Sequence, residues 1–221
     1  MKIFKMNPEN PDMDLIDEAI DIMAQGGVIL YPTDTVYGLG ANIFNNQAVQ
    51  RIYKIKHRER SKPLSVLVSD IESLELIAHL DDHSREVVNK WLPGPFTFIL
   101  NKQKTVSPYV SSSTKVGVRI PDNKIARELA SIFPITTTSA NIANEETLSN
   151  PHDILKQIGD CIDLAIDVGD LTGGKPSTVI DLTSAKPSLV RKGLISNDLE
   201  SIKEDIGDMD SNKNDIDDMN L

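Results

Sequence analysis

Eight short apolar runs, at 28–31, 65–68, 96–100, 116–120, 135–138, 164–168, 177–182 and 189–191, constrain this chain more than any other feature. Each is too short for a helix and ends in proline, glycine or polar residues, as a buried strand does. The first follows the stop signal Gly26-Gly27 and closes at Pro32. Helical spacing fills the gaps. Leu15, Ile16, Ala19, Ile20, Ile22 and Met23 predict a helix over 14–25, and Val49, Ile52 and Tyr53 predict one over 46–57. Further helices are expected at 70–80, 84–91, 123–132 and 151–158, with a rigid turn at Leu92-Pro93-Gly94-Pro95. Helices and strands mix irregularly, and the last strands follow one another directly. The expected fold is a single α/β domain around a twisted mixed β-sheet with flanking helices, without internal repeats.

At 221 residues the chain can bury a core without disulfide or metal staples. Its 39% apolar and 25% charged residues are those of an ordinary globular protein, which excludes whole-chain disorder, collagen and coiled coil. No run approaches the roughly 18 apolar residues of a membrane helix. Residues 1–8 lack a signal peptide's apolar core. One cysteine, Cys161, precludes an intramolecular disulfide and a cysteine-based zinc site, so a reducing cytoplasm is the expected location. The net charge of −10 is uneven: residues 197–221 hold nine acids and two lysines, −7, leaving −3 on residues 1–196. We therefore expect a folded domain over 1–196 and an acidic tail over 197–221, with a short helix at 197–206 and disorder at 207–221.

Several tempting signals fail. Gly169-Asp170-Leu171-Thr172-Gly173-Gly174-Lys175-Pro176 nearly spells a P-loop, but Pro176 stands where a hydroxyl should bind magnesium. A strand-like run follows it instead of a helix, so it is read as a Gly-rich segment beside a site. His57, His79, His83 and His152 lack metal-ligand spacing, and Asp81-Asp82 breaks any helix joining the middle two. No G-x-S-x-G elbow marks a hydrolase nucleophile.

Five clusters do carry chemistry. Tyr31-Pro32-Thr33-Asp34-Thr35-Val36-Tyr37-Gly38-Leu39-Gly40 follows a strand with hydroxyls and two glycines, as a ligand loop or an ordinary turn would. Lys54, Lys56, Arg58, Arg60 and Lys62 crowd five cations into nine positions, suited to a triphosphate or an RNA backbone, or to a solvated helix end. Thr136-Thr137-Thr138-Ser139-Ala140-Asn141 offers hydroxyl and amide donors to anionic oxygens. Arg119 lies inside an apolar strand pattern, where an arginine needs an anion. The last cluster joins Ser177-Thr178-Val179-Ile180-Asp181 to Val190-Arg191-Lys192-Gly193.

In order, PTDTVYGLG, KxR with KPL, LPGPFT, VRIP, TSAN, PSTVID and VRKG resemble the YrdC-like family, the threonylcarbamoyl-AMP synthases, over about residues 12–195. The resemblance implies the YrdC-like fold and L-threonylcarbamoyladenylate synthase activity, a nucleotidyl transfer. L-threonine, bicarbonate and ATP would give threonylcarbamoyl-AMP and pyrophosphate, and tRNA threonylcarbamoyl transferase machinery would use the product. It implies Mg²⁺ travelling with ATP, no tightly bound organic cofactor and no protein-held metal. Lys56 and Arg58 would be catalytic and, with Lys62, Ser139, Asn141, Thr147 and Arg191, would bind ATP. Thr35, Arg119, Thr137 and Ser177 would bind threonine, with Arg119 on its carboxylate.

The chain departs from the family after Asn141, where a serine-glycine element is common, and at Lys115, where a threonine is common. The C-terminal domain of the longer members is not expected here. The main alternative is an RNA-binding module in ribosome or tRNA maturation, opposed by the −10 charge and by cations without interleaved aromatics. Carbamoyl-AMP formation, as in hydrogenase maturation proteins, is discounted because one cysteine cannot build their zinc elements.

Overall fold

In the computed structural model, residues 1–159, 161–184 and 186–194 are described. The expectations for residues 197–221 lie outside them. Among the described residues, eleven strands and six helices follow in the order β1 (Lys2–Lys5), α1 (Met13–Ala24), β2 (Ile29–Tyr31), β3 (Gly38–Gly40), α2 (Asn46–Ile55), β4 (Ser65–Leu67), α3 (Ile71–Glu75), β5 (Ala78–His79), α4 (Asp82–Trp91), β6 (Phe96–Lys102), β7 (Lys115–Arg119), α5 (Lys124–Leu129), β8 (Ile135–Thr137), α6 (Pro151–Ile158), β9 (Leu164–Asp167), β10 (Thr178–Asp181) and β11 (Ser188–Arg191).

The strands form two mixed ladders. One has the order β1-β9-β2-β3; the other runs β11-β10-β6-β7-β4-β8, with β5 on β6. They join where the chain through β3 meets that through β8. Antiparallel bridges pair Gly38 with Ser139 and Asn42 with Ile135, and Leu39 N donates to Thr138 O at 2.9 Å. The fold is the expected mixed α/β architecture.

Strand alternation sends successive side chains to opposite faces. Ile29 and Tyr31 of β2, Leu67 of β4 and Leu164 and Ile166 of β9 pack with Ile16, Ala19, Ile20 and Met23 of α1 and Ile125, Ala126 and Leu129 of α5. The alternate residues Leu30, Val66 and Ala165 join a second cluster with Val49 and Ile52 of α2, Val87 and Val88 of α4 and Ile154 of α6. Helices thus cover both faces, and that explains why β2 and β4 read as unbroken apolar runs.

Three strands escape local reading. The expected helix over 70–80 stops at Glu75, because Ala78 and His79 pair antiparallel with Lys102 and Asn101. β6 outlasts its apolar run and recruits them. β1 pairs in parallel with β9, about 160 residues away, and its burial is too slight to leave an apolar signature. β3 is two glycines around a leucine, and the reason is Tyr31. A Cβ on Gly38 would lie 3.0 Å from the Tyr31 ring, and one on Gly40 would lie 2.8 Å from it. These glycines make room for a core ring across the ladder.

Candidate active site

α2 ends in a tight reversal that aims the cationic run. Arg58 N donates to Tyr53 O at 2.9 Å and His57 N to Lys54 O at 3.2 Å, the paired bonds of a Schellman motif. The left-handed position falls on His57, with φ 49°. Glycine occupies that conformation without a Cβ penalty. His57→Gly should therefore raise the unfolding free energy by about 0.5 kcal/mol, after its greater unfolded entropy is deducted. A denaturant midpoint that does not rise, at constant slope, would contradict this.

The reversal turns Lys56 inward. Its side chain is 2% exposed. Nζ donates to Asn141 O at 2.8 Å, to Asn141 Oδ1 at 3.1 Å and to Ser139 O. Burial, and next the Arg58 charge, push this ammonium down to about 7. Arg58 points elsewhere, with Nε on Lys62 O at 3.2 Å and one terminal nitrogen on Pro63 O at 3.0 Å. Burial lowers its pKa too.

A narrow cleft opens beside these elements. Arg119 ends β7, Thr137 ends β8, Ser139 follows it, Ser177 precedes β10 and Arg191 ends β11; all five line the cleft. Lys56, Arg58, Lys62, Thr35, Asn141 and Thr147 do not. Thr35 is buried behind the rim, its hydroxyl 3.0 Å from that of Thr33, a lining residue. Lys62 is half-buried, and Thr147 lies in the segment between β8 and α6. Asn141 is buried among the bonds that hold Lys56.

Positive charge is concentrated at this cleft. Arg191 donates from Nε and a terminal nitrogen to Ser177 O, at 3.2 and 3.1 Å. Its pKa is pushed down to about 10 by burial first and then by the charges of Arg119 and Arg58. The charges of Arg119 and Arg58 thus act together on Arg191, which makes this side of the cleft suited to an anionic ligand. Arg119 is 4% exposed and forms an ion pair with Asp34, whose other oxygen accepts from Asp122 N at 3.1 Å. Arg119 Nε is buried without a hydrogen-bond partner. A buried donor of that kind is costly unless a ligand satisfies it.

Hydroxyls complete the walls. Thr97 on β6 bonds Ser177 Oγ at 2.8 Å. Burial pushes Tyr31 up to about 12, so its OH stays protonated and donates to Thr136 O at 3.3 Å. Sequence reasoning assigned no role to Asp34, Thr33, Ser65 or Thr97. Asp34 sits within a motif that had been singled out, but its pairing with Arg119 spans 85 residues.

The Gly-rich segment runs into β10, a strand and not the helix a P-loop must open. Gly173 packs so closely that a Cβ would lie 2.4 Å from Thr35 O. Lys115 is not among the residues that line the cleft and pairs with Asp181 at 2.8 Å. Among the described residues no group of three or more histidines, cysteines or acids could hold a metal, and no helix is long and apolar enough to cross a membrane.

A family model described as telomere recombination, for the Sua5, YciO and YrdC proteins, matches residues 21–193. The chain belongs to that family. A relative from Methanocaldococcus jannaschii, named putative threonylcarbamoyl-AMP synthase, is 39% identical over 195 residues, covering 88% of this chain and 93% of its own. The crystal structure of Pyrococcus abyssi Sua5 complexed with L-threonine superposes with a TM-score of 0.89 at 33% identity. That match covers 95% of this chain but 62% of the Sua5 chain, so the present protein spans about three fifths of that relative. Escherichia coli YciO superposes with a TM-score of 0.81 at 35% identity, over 87% of this chain and 96% of its own.

Proposed function

We propose that this member of the Sua5/YciO/YrdC family is an L-threonylcarbamoyladenylate synthase. It condenses L-threonine, bicarbonate and ATP into threonylcarbamoyl-AMP and pyrophosphate. The observation that carries the reading is the meeting of Arg119 and Arg191 on a hydroxyl-lined cleft, with the Arg58 charge near enough to act on Arg191 and one carboxylate, Asp34, beside them. The name of the Methanocaldococcus relative and the threonine bound to Pyrococcus Sua5 support it.

The chemistry requires what such a cleft offers. The threonine amine and bicarbonate give a carbamate, with loss of water. A carbamate oxygen then attacks the α-phosphorus of ATP, the α–β phosphoanhydride bond breaks, and pyrophosphate leaves. Both reactants are anions, so cations and fixed dipoles must cancel repulsion and set the approach. Arg119 takes the threonine carboxylate with its unsatisfied Nε, while Thr35, Thr137 and Ser177 orient the amino acid. Arg58, Lys62 and Arg191 face the phosphates, and Ser139, Asn141 and Thr147 meet the nucleotide. No protein nucleophile takes part. Mg²⁺ rides on the ATP phosphates, consistent with the scarcity of carboxylates in the cleft.

Product passes to tRNA threonylcarbamoyl transferase machinery in a reducing cytoplasm, where the exposed thiol of Cys161 stays free. Pyrophosphate release should require both L-threonine and bicarbonate, fall sharply with serine, and accompany a species of threonylcarbamoyl-AMP mass. Threonine-independent release, or none from folded protein, would refute the assignment; tRNA binding without release would favour an RNA-binding role.

A further inference from the structure

Lys56 has a cation's sequence context but a pin's geometry. An ammonium has three N–H donors, and the three oxygens around Nζ belong to Ser139 and Asn141. The Lys56 carbonyl accepts from Ala143 N at 2.8 Å, a fourth tie to the same turn. Asn141 Oδ1 also accepts from Ser139 Oγ at 2.6 Å, and Asn141 Nδ2 donates to Glu145 O at 2.7 Å. The turn at 139–145 is therefore fastened to the end of α2 at one buried point. Thr138 and Ser139 form the cleft wall on that side, whereas Lys56 does not reach the cleft.

We infer that Lys56 is a positioning residue: its ammonium holds the 139–141 turn as a wall of the cleft, and it does not grip the ATP phosphates. This rests on the reading of the cleft as an ATP site. It leaves Arg58, Arg191 and Lys62 as the phosphate cations and explains why lysine is suited to the position. A compact, tetrahedral donor fits three converging oxygens, while a planar guanidinium does not. Bonds from a charged donor in a buried site also hold a turn more firmly than neutral ones.

The test compares Lys56→Met with Lys56→Arg, because a phosphate grip survives replacement by arginine and a three-oxygen pin does not. Amide hydrogen exchange at 139–145 and equilibrium ATP binding are measured on both variants of the full chain. Exchange in the turn should quicken by about tenfold or more, and ATP affinity should fall by about tenfold or more, with Arg no better than Met. Turn exchange at the wild-type rate, or near-wild-type ATP binding by Lys56→Arg, would overturn the inference. Exchange needs neither ligand nor turnover, so it reports on Lys56 even if the wild-type protein fails to bind ATP and the synthase reading falls.

Discussion

Replacing Arg119 with lysine should raise the threonine concentration for half-maximal pyrophosphate release by about thirtyfold or more, roughly 2 kcal/mol, while the ATP requirement moves by less than about threefold. Lysine keeps the positive charge beside Asp34, so the buried carboxylate is not stranded and the fold survives. It loses the guanidinium fork, and with it the Nε donor that is buried and unsatisfied. A lysine ammonium drawn to Asp34 has no rigid second arm for a carboxylate. Alanine is the poorer test, because leaving the largely buried Asp34 carboxylate unpaired would destabilise the fold by roughly 3 kcal/mol. Steady-state kinetics with each substrate varied decide the matter. An unchanged threonine dependence with a weakened ATP dependence would move Arg119 to the nucleotide.

Gly173→Ala should cut turnover by about a hundredfold with little change in melting temperature, and Gly174→Ala should do much less. The added methyl at 173 meets Thr35 O at 2.4 Å and the Thr35 carbonyl carbon at 3.2 Å, and neither is a side chain that can swing away. The segment must lift from Thr35 or push it, and about 1 Å of displacement matters greatly to oriented reactants. Tyr37 OH anchors the start of the segment on Gly169 O at 2.8 Å, so the change stays local to the 173–175 stretch. At Gly174 a methyl would meet nothing within 4 Å, and only the φ of +62° opposes it, a cost of about 1–2 kcal/mol. Equal activities for the two variants would show that contact with Thr35 is irrelevant to turnover.

The site was legible in proportion to how odd each residue looked in its local pattern. Arg119 stood out because an arginine in a buried strand demands an anion, and one is present in Asp34. Ser177 and Arg191 were visible as polar ends of apolar runs, and they meet at 3.1 Å across the β10–β11 ladder. Lys56 was visible only as a charge. Its neighbours suggested a clamp, but the Schellman reversal at His57 turns it inward while Arg58 goes elsewhere. Gly38 and Gly40 were legible as required glycines, but the ring that requires them belongs to Tyr31 of the adjacent strand.

By itself the sequence determined the elements whose signals are local. These are the short apolar runs of β2 and β4, the amphipathic faces of α1 and α2, and the failure of the Gly-rich segment as a P-loop. Periodicity and backbone chemistry act within a few residues, so they can be read along the chain. Only the tertiary structure decided what depends on distant pairing. It added β1 through β9 and β5 through β6, set Asp34 on Arg119, and enclosed Lys56 among three oxygens of a turn more than 80 residues away. Each of these rests on hydrogen bonds or ion pairs whose partners are chosen when the sheet closes, and no local propensity encodes that choice.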